Sequence, residues 1–445
     1  MIRTRFAPSP TGMLHIGNAR TAILTYLAAT KLNGEFWLRI DDTDQERSSS
    51  AYERAIKDDL TWLGLKWHDC FSQSQRLERY NEVKAEMIAS GLLYPCFESK
   101  TELDLKRKIL LSRNLPPIYD RSALKLTKSQ QRQLMADGVK PHYRFKLRPG
   151  EIKWRDLVRG EIKFDAEKIS DPVVIRADGS FTYLLCTAID DADYKMTHII
   201  RGEDHIANTA IQIQMMQALA ADTPEFAHMC MMTSKEGKIS KRIGGFEISS
   251  LRESGISSMA ISSLLAKIGT SDSIKPYYNI TQLTSDFEFS KCSRASVQYD
   301  LADLELLNHK YVTHADFNNV QAELEYLGLT KIDAEFWQAV RGNIDKVGDV
   351  KLWHQICHGL VKPVIAAANA DYIKTALQHL PAQDNSNPWQ SWTNKLKEVT
   401  DRKGKQLFMP LRTAITGLNY GPEMPKIIAL TPRDKILKRL AGETA

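Results

Sequence analysis

Residues 2–44 read IRTRFAPSPTGMLHIGNARTAILTYLAATKLNGEFWLRIDDTD, and this stretch decides the fold. Ile2 to Ala7 predicts a short strand. Pro8-Ser9-Pro10-Thr11-Gly12 predicts a loop, because two prolines and a glycine cannot continue a hydrogen-bonded ladder. Between Ala19 and Lys31, Ile23, Leu24 and Leu27 recur at helical spacing, and Asn33-Gly34 provides a stop. Phe36 to Ile40 predicts a buried strand that ends at Asp41, Asp42 and Asp44. Strand, loop, helix and strand within this length imply a parallel pair joined by a right-handed crossover.

Outward from this unit, Ala51 to Trp62 and Arg76 to Leu93 predict helices. Between about Tyr94 and Ser180 the texture changes to short strand-like runs, such as His142 to Leu147 and Glu161 to Asp165, among turns and basic helices. This predicts a mixed insertion. Strand signals return from Phe181 to Asp204, and from Ile248 onward the pattern is helical. Candidate breaks lie near Tyr311 and at Asp384-Asn385-Ser386-Asn387-Pro388.

A chain of 445 residues with 43% apolar content has room for two to four packed domains. Net charge is +6, and from Lys395 to Ala445 eleven basic residues face five acidic ones, leaving the rest near neutral. A basic C-terminal region on a neutral body points to a polyanion partner, with a solvated basic helical face as the plain alternative. The six cysteines (Cys70, Cys96, Cys186, Cys230, Cys292 and Cys357) are scattered with no CxxC pair. That argues against a disulfide framework and for a reducing cytoplasm. The N-terminus lacks the apolar core of a signal peptide, and no stretch reaches the apolar length of a membrane span.

Three features carry chemistry. The block Pro8 to Asn18, with His15, Gly17 and Asn18, joins the first strand to the first helix. Ligands of open α/β sheets bind at that place, and free N–H groups at a helix start favour anions. Gly17 would let a base or ribose approach closely, and His15 could donate to a phosphate. Lys238-Ile239-Ser240-Lys241-Arg242 lies between glycines, a pattern suited to phosphate contact; a solvated basic loop is the alternative. Arg5, Asp41, Tyr183 and Arg201 sit at expected strand ends, where an acid could hold an ammonium and arginines could hold carboxylates. Taken singly, each reads better as a surface or structural ion pair.

Together these motifs resemble class I aminoacyl-tRNA synthetases, and specifically glutamyl-tRNA synthetases of bacterial type. His15-Ile16-Gly17-Asn18 resembles the first signature of the class, and Lys238 to Arg242 the second. The glutamyl branch is indicated by Thr4 to Gly12, Arg39 to Asp44, Leu157 to Ile162, Ile200 to His205 and Arg412 to Gly417. The resemblance implies an α/β fold: a Rossmann-like parallel-sheet catalytic domain with a mixed α+β insertion, then an all-helical C-terminal anticodon-binding region. The implied boundaries are 1–82 with 185–236 for the catalytic domain and 83–184 for an acceptor-end-binding insertion. A stem-contact domain carrying the second signature follows at 237–311, and the anticodon region at 312–445.

The resemblance further implies that glutamate attacks the α-phosphate of ATP, with Mg²⁺ bridging phosphates, and that the adenylate is passed to tRNA(Glu), with tRNA(Gln) as a second candidate acceptor. His15, Lys238 and Lys241 would stabilise the transition state. Gly12, His15, Gly17, Asn18, Lys238, Ser240 and Lys241 would bind ATP. Arg5, Ala7, Ser9, Asp41, Tyr183, Thr187 and Arg201 would bind L-glutamate. A cytoplasmic monomer, not associated with membranes, is expected. Two departures stand out: many relatives carry Glu where Asp41 stands, and often an amide where Thr187 stands. Some relatives also carry a zinc site of CxC…CxH form, of which only Cys96-Phe97-Glu98 remains, so no zinc and no protein metal ligand is expected. Three rivals remain open at this point: an enzyme charging a modified nucleoside, a silent tRNA-binding paralogue, and a nucleotidyltransferase sharing only the first loop.

Overall fold

The structure, a computed structural model, describes residues 1–44, 46–234, 246–382 and 387–445. The chain forms two compact units. The first comprises Met1–Leu251, Ser262–Lys275 and Ile280–Leu301; the second comprises Arg252–Ile261, Pro276–Asn279 and Ala302–Ala445.

The first unit opens with β1 (Arg3–Phe6), α1 (Ile16–Lys31), β2 (Glu35–Ile40), α2 (Ser50–Trp62) and β3 (Cys70–Ser72). β1 and β2 pair in parallel from Arg3 opposite Glu35 to Phe6 opposite Leu38. The crossover is tight: a side chain on Gly34 would lie 2.6 Å from the Ile2 carbonyl oxygen. α1 buries Ile16, Ala19, Ala22, Ile23, Leu24 and Leu27, the stripe that its spacing dictates.

After α3 (Leu77–Ala89) come β4 (Leu93–Cys96), α4 (Lys100–Ser112), α5 (Lys128–Ala136), β5 (His142–Phe145), β6 (Glu151–Asp156), β7 (Gly160–Asp165) and β8 (Val173–Ile175). Next are α6 (Tyr183–Asp193), β9 (His198–Gly202), α7 (Ile206–Ala218) and β10 (Glu225–Met229). The main sheet runs β3-β2-β1-β9-β10-β6-β7, parallel throughout except for the β6–β7 hairpin. A separate antiparallel sheet holds β4, β5 and β8. From β1 the chain winds first to β2 and β3, then returns on the other side to β9. The carboxyl ends of β1 and β9 therefore flank the point where strand order reverses, the place where such sheets bind ligands.

Local corrections follow from the structure. The helix expected to reach Leu93 ends at Ala89, because Gly91 takes the left-handed conformation (φ +71°) and turns the chain into β4. Residues 183–193, expected to be extended, form α6. Leu185, Cys186, Ala188 and Ile189 are buried there, and so are Thr187, Asp190 and Asp191. The buried polar groups Thr187, Asp190 and Asp191 recur at helical spacing and share the buried side with apolar residues, so no polar face marks the helix. Their partners are arginines of other elements, which periodicity cannot see. Val297–Tyr299, in a stretch that reads as helical, pairs in parallel with Met232–Ser234. Tyr311, near which a break was expected, lies buried inside the helix Leu301–His314.

In the second unit, every regular element among the described residues from 302 onward is a helix. Its core includes Trp337, Trp353 and Trp392, each nearly inaccessible. The Trp392 indole N–H donates to the Ala376 carbonyl at 2.8 Å, so this ring is core and not a stacking platform. Trp389 packs edge-on against it, with ring centroids 6.0 Å apart. Among the described residues no helix is long and apolar enough to cross a membrane.

Candidate active site

The loop after β1 is tied to its surroundings through the backbone. Asp41 N–H donates to the Pro8 carbonyl and Ser49 N–H to that of Pro10, both at 3.0 Å. These bonds keep Ala7 and Ser9 at the carboxyl edge of β1, Ala7 partly buried and Ser9 exposed. Gly12 is partly buried on the same loop.

His15 caps α1. Its Nδ1 accepts from the N–H of Gly17 at 3.1 Å and, at longer range, of Asn18 at 3.4 Å. Ile16 N–H donates to Phe246 and Ala19 N–H to the His15 carbonyl. The first N–H groups of α1 therefore already have partners, which corrects the expectation of a bare helix start facing phosphate. With Nδ1 accepting, the proton sits on Nε2, and two amide dipoles behind Nδ1 make that N–H a better donor. Gly17 has a second reason to be glycine: a Cβ there would sit 3.0 Å from His15 Cε1.

Lys238, Ser240 and Lys241 lie outside the described residues. The segment containing them leaves at Ser234, on the strand paired with Val297–Tyr299, and returns at Phe246. There the Phe246 carbonyl accepts from Ile16 N–H at 2.8 Å, and Ile248 N–H donates to Leu14 at 2.9 Å. Phe246 and Ile248 are thus bonded to the residues on either side of His15.

A buried lattice of charge lies under the loop. Arg5 makes a two-pronged pair with Asp191: Nε to Oδ1 at 3.0 Å and Nη2 to Oδ2 at 3.1 Å. Arg39, fully buried, reaches Asp191 with Nη1 at 2.8 Å, Asp41 with Nε at 2.7 Å, and Thr187 with Nη2 at 3.2 Å. Burial pushes the Asp191 carboxyl up, but Arg5 and Arg39 outweigh this and hold it below the usual range. Burial lifts Asp41 to about 6 in spite of Arg39. Asp190 accepts from Gln73, Arg76 and the Tyr80 hydroxyl. Asp42 is bound by the N–H and hydroxyl of Ser74, and Asp44 pairs with Arg47 at the surface, so neither of these acids serves the site.

Arg201 stands at the end of β9. Its Nη1 donates to the Tyr183 hydroxyl at 3.1 Å; its Nη2 donates to Thr209 at 2.6 Å and Gln212 at 2.7 Å. Its Nε is buried with no partner. Burial and the nearby charge of Arg5 lower its pKa. His205, beside Tyr183, is pushed down to about 4 by burial and by Arg201, so it adds no charge of its own. Two neighbouring buried guanidiniums, one with an unpartnered N–H, form a receptor for an anion.

Arg5, Asp41, Tyr183, Arg201, Ala7, Ser9, Gly12, His15, Gly17 and Asn18 therefore lie on β1, β2, β9, α6, the first turn of α1 or the loops that leave these strands. Thr187 is fully buried and turned to Arg39. Sequence reading missed Asp191, Arg39, Thr209 and Gln212 as participants. The signal that could have found them is a charge inside an apolar run, since such a charge needs a buried partner.

In the insertion, Cys96, Glu98 and His142 bring donor atoms within 4.8 Å of one another. His142, from β5, was invisible to the CxC…CxH reading. The set does not suit a closed zinc site. Among the described residues it holds three donors where four are needed, and one Glu98 oxygen accepts from Tyr119 and Ser122.

Comparison with known proteins agrees with this geometry. The model of the class I tRNA synthetase (E and Q) catalytic domain matches residues 1–306, and that of an anticodon binding domain matches residues 362–442. A glutamate–tRNA ligase of Rickettsia felis is 48% identical over 445 residues, covering 99% of each chain. One of Rickettsia prowazekii is 49% identical over 438 residues, covering 98% of each. The solved structure of an Elizabethkingia meningosepticum glutamate tRNA ligase shares the fold, with a TM-score of 0.82 at 23% identity, covering 99% of this chain and 98% of that one. A strand-order reversal flanked by β1 and β9, a histidine-capped first helix and a match of this extent lead to one conclusion: the chain belongs to the class I tRNA synthetase family of glutamate and glutamine enzymes, on its glutamate–tRNA ligase branch.

Proposed function

We propose that the chain joins L-glutamate to tRNA at the expense of ATP, which enters as its magnesium complex. In the first step a glutamate α-carboxylate oxygen bonds to the α-phosphorus, the bond to the bridging oxygen breaks, and pyrophosphate leaves. In the second a terminal ribose hydroxyl of the tRNA attacks the acyl carbon, loses its proton, and AMP departs. Catalysis of this kind rests on positioning and on charge stabilisation. His15 Nε2–H, Lys238 and Lys241 stabilise the charge on the phosphates. Gly12, Gly17, Asn18 and Ser240 complete the nucleotide contacts.

The observation that carries the glutamate reading is the pair of buried arginines. Arg5 and Arg201, with the unpartnered Arg201 Nε, suit a side-chain carboxylate, and a neutral amide would leave them partly uncompensated. Tyr183 steadies Arg201 from one side. Asp41 faces the substrate ammonium, with Ser9 and Ala7 along the amino-acid backbone. Thr187 acts through Arg39 on Asp41. Residues 83–184 would receive the acceptor end, 237–311 the stem and 312–445 the anticodon. A cytoplasmic monomer is part of the same proposal.

The test is aminoacylation with labelled glutamate, run on tRNA(Glu) and tRNA(Gln) transcripts side by side. Charging of tRNA(Glu) alone supports a discriminating ligase, and charging of both supports a dual acceptor range. Charging of neither by folded protein with magnesium and ATP overturns the proposal.

Asp41 gives a pH dependence. Only its ionised form attracts the ammonium, and its carboxyl titrates at about 6. Affinity for glutamate is therefore present above that value and lost as pH falls through it. The logarithm of kcat/KM for glutamate should fall with unit slope below about pH 6, and Asp41→Asn should flatten that limb at a lower plateau. An unchanged limb in the variant would assign the titration to another group.

A further inference from the structure

Behind Arg201 lies a chain of buried polar groups that the reaction itself does not employ. Asp156, at the end of β6, places Oδ2 2.5 Å from His228 Nδ1. His228 Nε2 lies 2.8 Å from the Thr209 hydroxyl. That hydroxyl lies 2.6 Å from Arg201 Nη2. His228 and Thr209 are completely inaccessible and Asp156 nearly so.

The order carboxylate, imidazole, hydroxyl is that of a hydrolytic triad. Here it cannot act as one. The Thr209 oxygen is sealed from solvent and directed at a guanidinium, which gives it no path to an acyl group. We propose instead that Asp156, His228 and Thr209 form a positioning relay that sets the orientation of Arg201 for the substrate carboxylate; this rests on the glutamate reading above.

The polarity of the chain follows from chemistry. Asp156 Oδ1 accepts from the N–H groups of Val158, Arg159 and His228 at 3.0, 3.0 and 3.2 Å. Burial acts against its ionisation, but His228 and these backbone donors outweigh it and keep it a carboxylate, which can only accept. His228 Nδ1 must then carry the imidazole proton. Burial, aided by the Arg201 charge, keeps His228 neutral, so Nε2 presents a lone pair. The Thr209 proton points to Nε2, at 2.8 Å, rather than to the His205 carbonyl at 3.2 Å. The remaining Thr209 lone pair faces Arg201.

With Gln212 as the second acceptor on Nη2 and Tyr183 on Nη1, the guanidinium plane is set from three sides. Of its five N–H donors three are then held, and the Nε–H, which has no partner, and one on Nη1 are left to receive a carboxylate. The relay also gives a role to the run Leu157 to Ile162, which the reaction chemistry leaves unexplained. That run forms the turn whose N–H groups hold Asp156, on a hairpin that joins the main sheet through β10.

The decisive variant is Thr209→Val, which deletes the hydroxyl at nearly constant volume. Full aminoacylation is measured with tRNA present, varying glutamate and ATP separately. A charge-assisted hydrogen bond lost from the arginine predicts a glutamate KM raised about tenfold, with the ATP KM and kcat within about twofold. Thr209→Ser keeps the hydroxyl and should bring the glutamate KM back to within about twofold of wild type. A glutamate KM that does not move in Thr209→Val, or that rises together with the ATP KM, overturns the relay. So does a Thr209→Ser variant as impaired as the valine. If Thr209→Val does not fold, His228→Asn is measured in its place, and the same split between the two substrates decides. Failure of wild-type protein to use glutamate at all would instead overturn the underlying reading, so the two failures are distinguishable.

Discussion

Arg39→Met is expected to destabilise the protein by about 3–5 kcal/mol, the range found when one partner of a buried ion pair is removed. Arg39 is fully buried and serves three acids. It bonds Asp41 at 2.7 Å and Asp191 at 2.8 Å, and stands 3.8 Å from Asp190. The last two keep other partners in the variant: Asp191 keeps Arg5, while Asp190 keeps Arg76, Gln73 and Tyr80. Asp41 loses both of its side-chain bonds. The deficit therefore falls mainly on one buried carboxylate.

Its sign with pH is determined. Asp41 already titrates near 6 in the native protein, above its ordinary 3.8, and without Arg39 it should titrate higher still. A raised folded-state pKa means relative stability at low pH that is lost as pH rises through that pKa. The gap between variant and wild type should thus be small near pH 5 and open toward pH 8. Thermal melts should show a fall on the order of 10 °C at pH 8. Adding Asp41→Asn to Arg39→Met should recover much of it. A gap below about 1 kcal/mol that does not vary with pH would mean that the lattice is not what holds this part of the unit.

Lys241→Ala is expected to lower kcat for charging by about 10²–10³, the loss seen when one preorganised charge donor to a transition state is deleted. The reasoning is local. Activation places developing negative charge on the phosphates, and of the cations in Lys238-Ile239-Ser240-Lys241-Arg242, Lys238 and Lys241 are the two proposed to meet that charge. Phe246, the first described residue after this segment, is bonded to Ile16, one residue from His15. Single-turnover adenylate formation with tRNA present would measure the step directly. The glutamate KM should change little, since Lys241 acts on the nucleotide. A kcat within about threefold of wild type would remove Lys241 from the chemistry.

Much of the site was legible in the residues. The β1-loop-α1-β2 unit followed from prolines, a glycine and a helical apolar stripe, each of which acts on its own neighbours in the chain. Arg5, His15, Asp41 and Arg201 were recognised from motifs whose residue types suit anionic and cationic substrate groups. Other features were misread where local pattern and tertiary environment diverge. α6 read as strand because Thr187, Asp190 and Asp191 are buried with the apolar residues and leave no polar face, and their arginine partners come from β1, β2 and the residue that caps α3. Trp392 carries no local sign of its burial; its indole N–H is satisfied by the Ala376 carbonyl inside the core.

The sequence by itself determined the parallel strand-helix-strand topology and the family, and it supplied the groups proposed to meet glutamate and ATP. These depend on short-range backbone preferences and on motifs contiguous in the chain. Only the tertiary structure decided how those groups are held. Asp191 meets Arg5 across 186 residues and Asp156 meets His228 across 72. The N–H groups at the start of α1 turn inward to His15. Burial removes water as a partner, so each buried charge must find its complement wherever the fold places one, and nothing in the local sequence records that address.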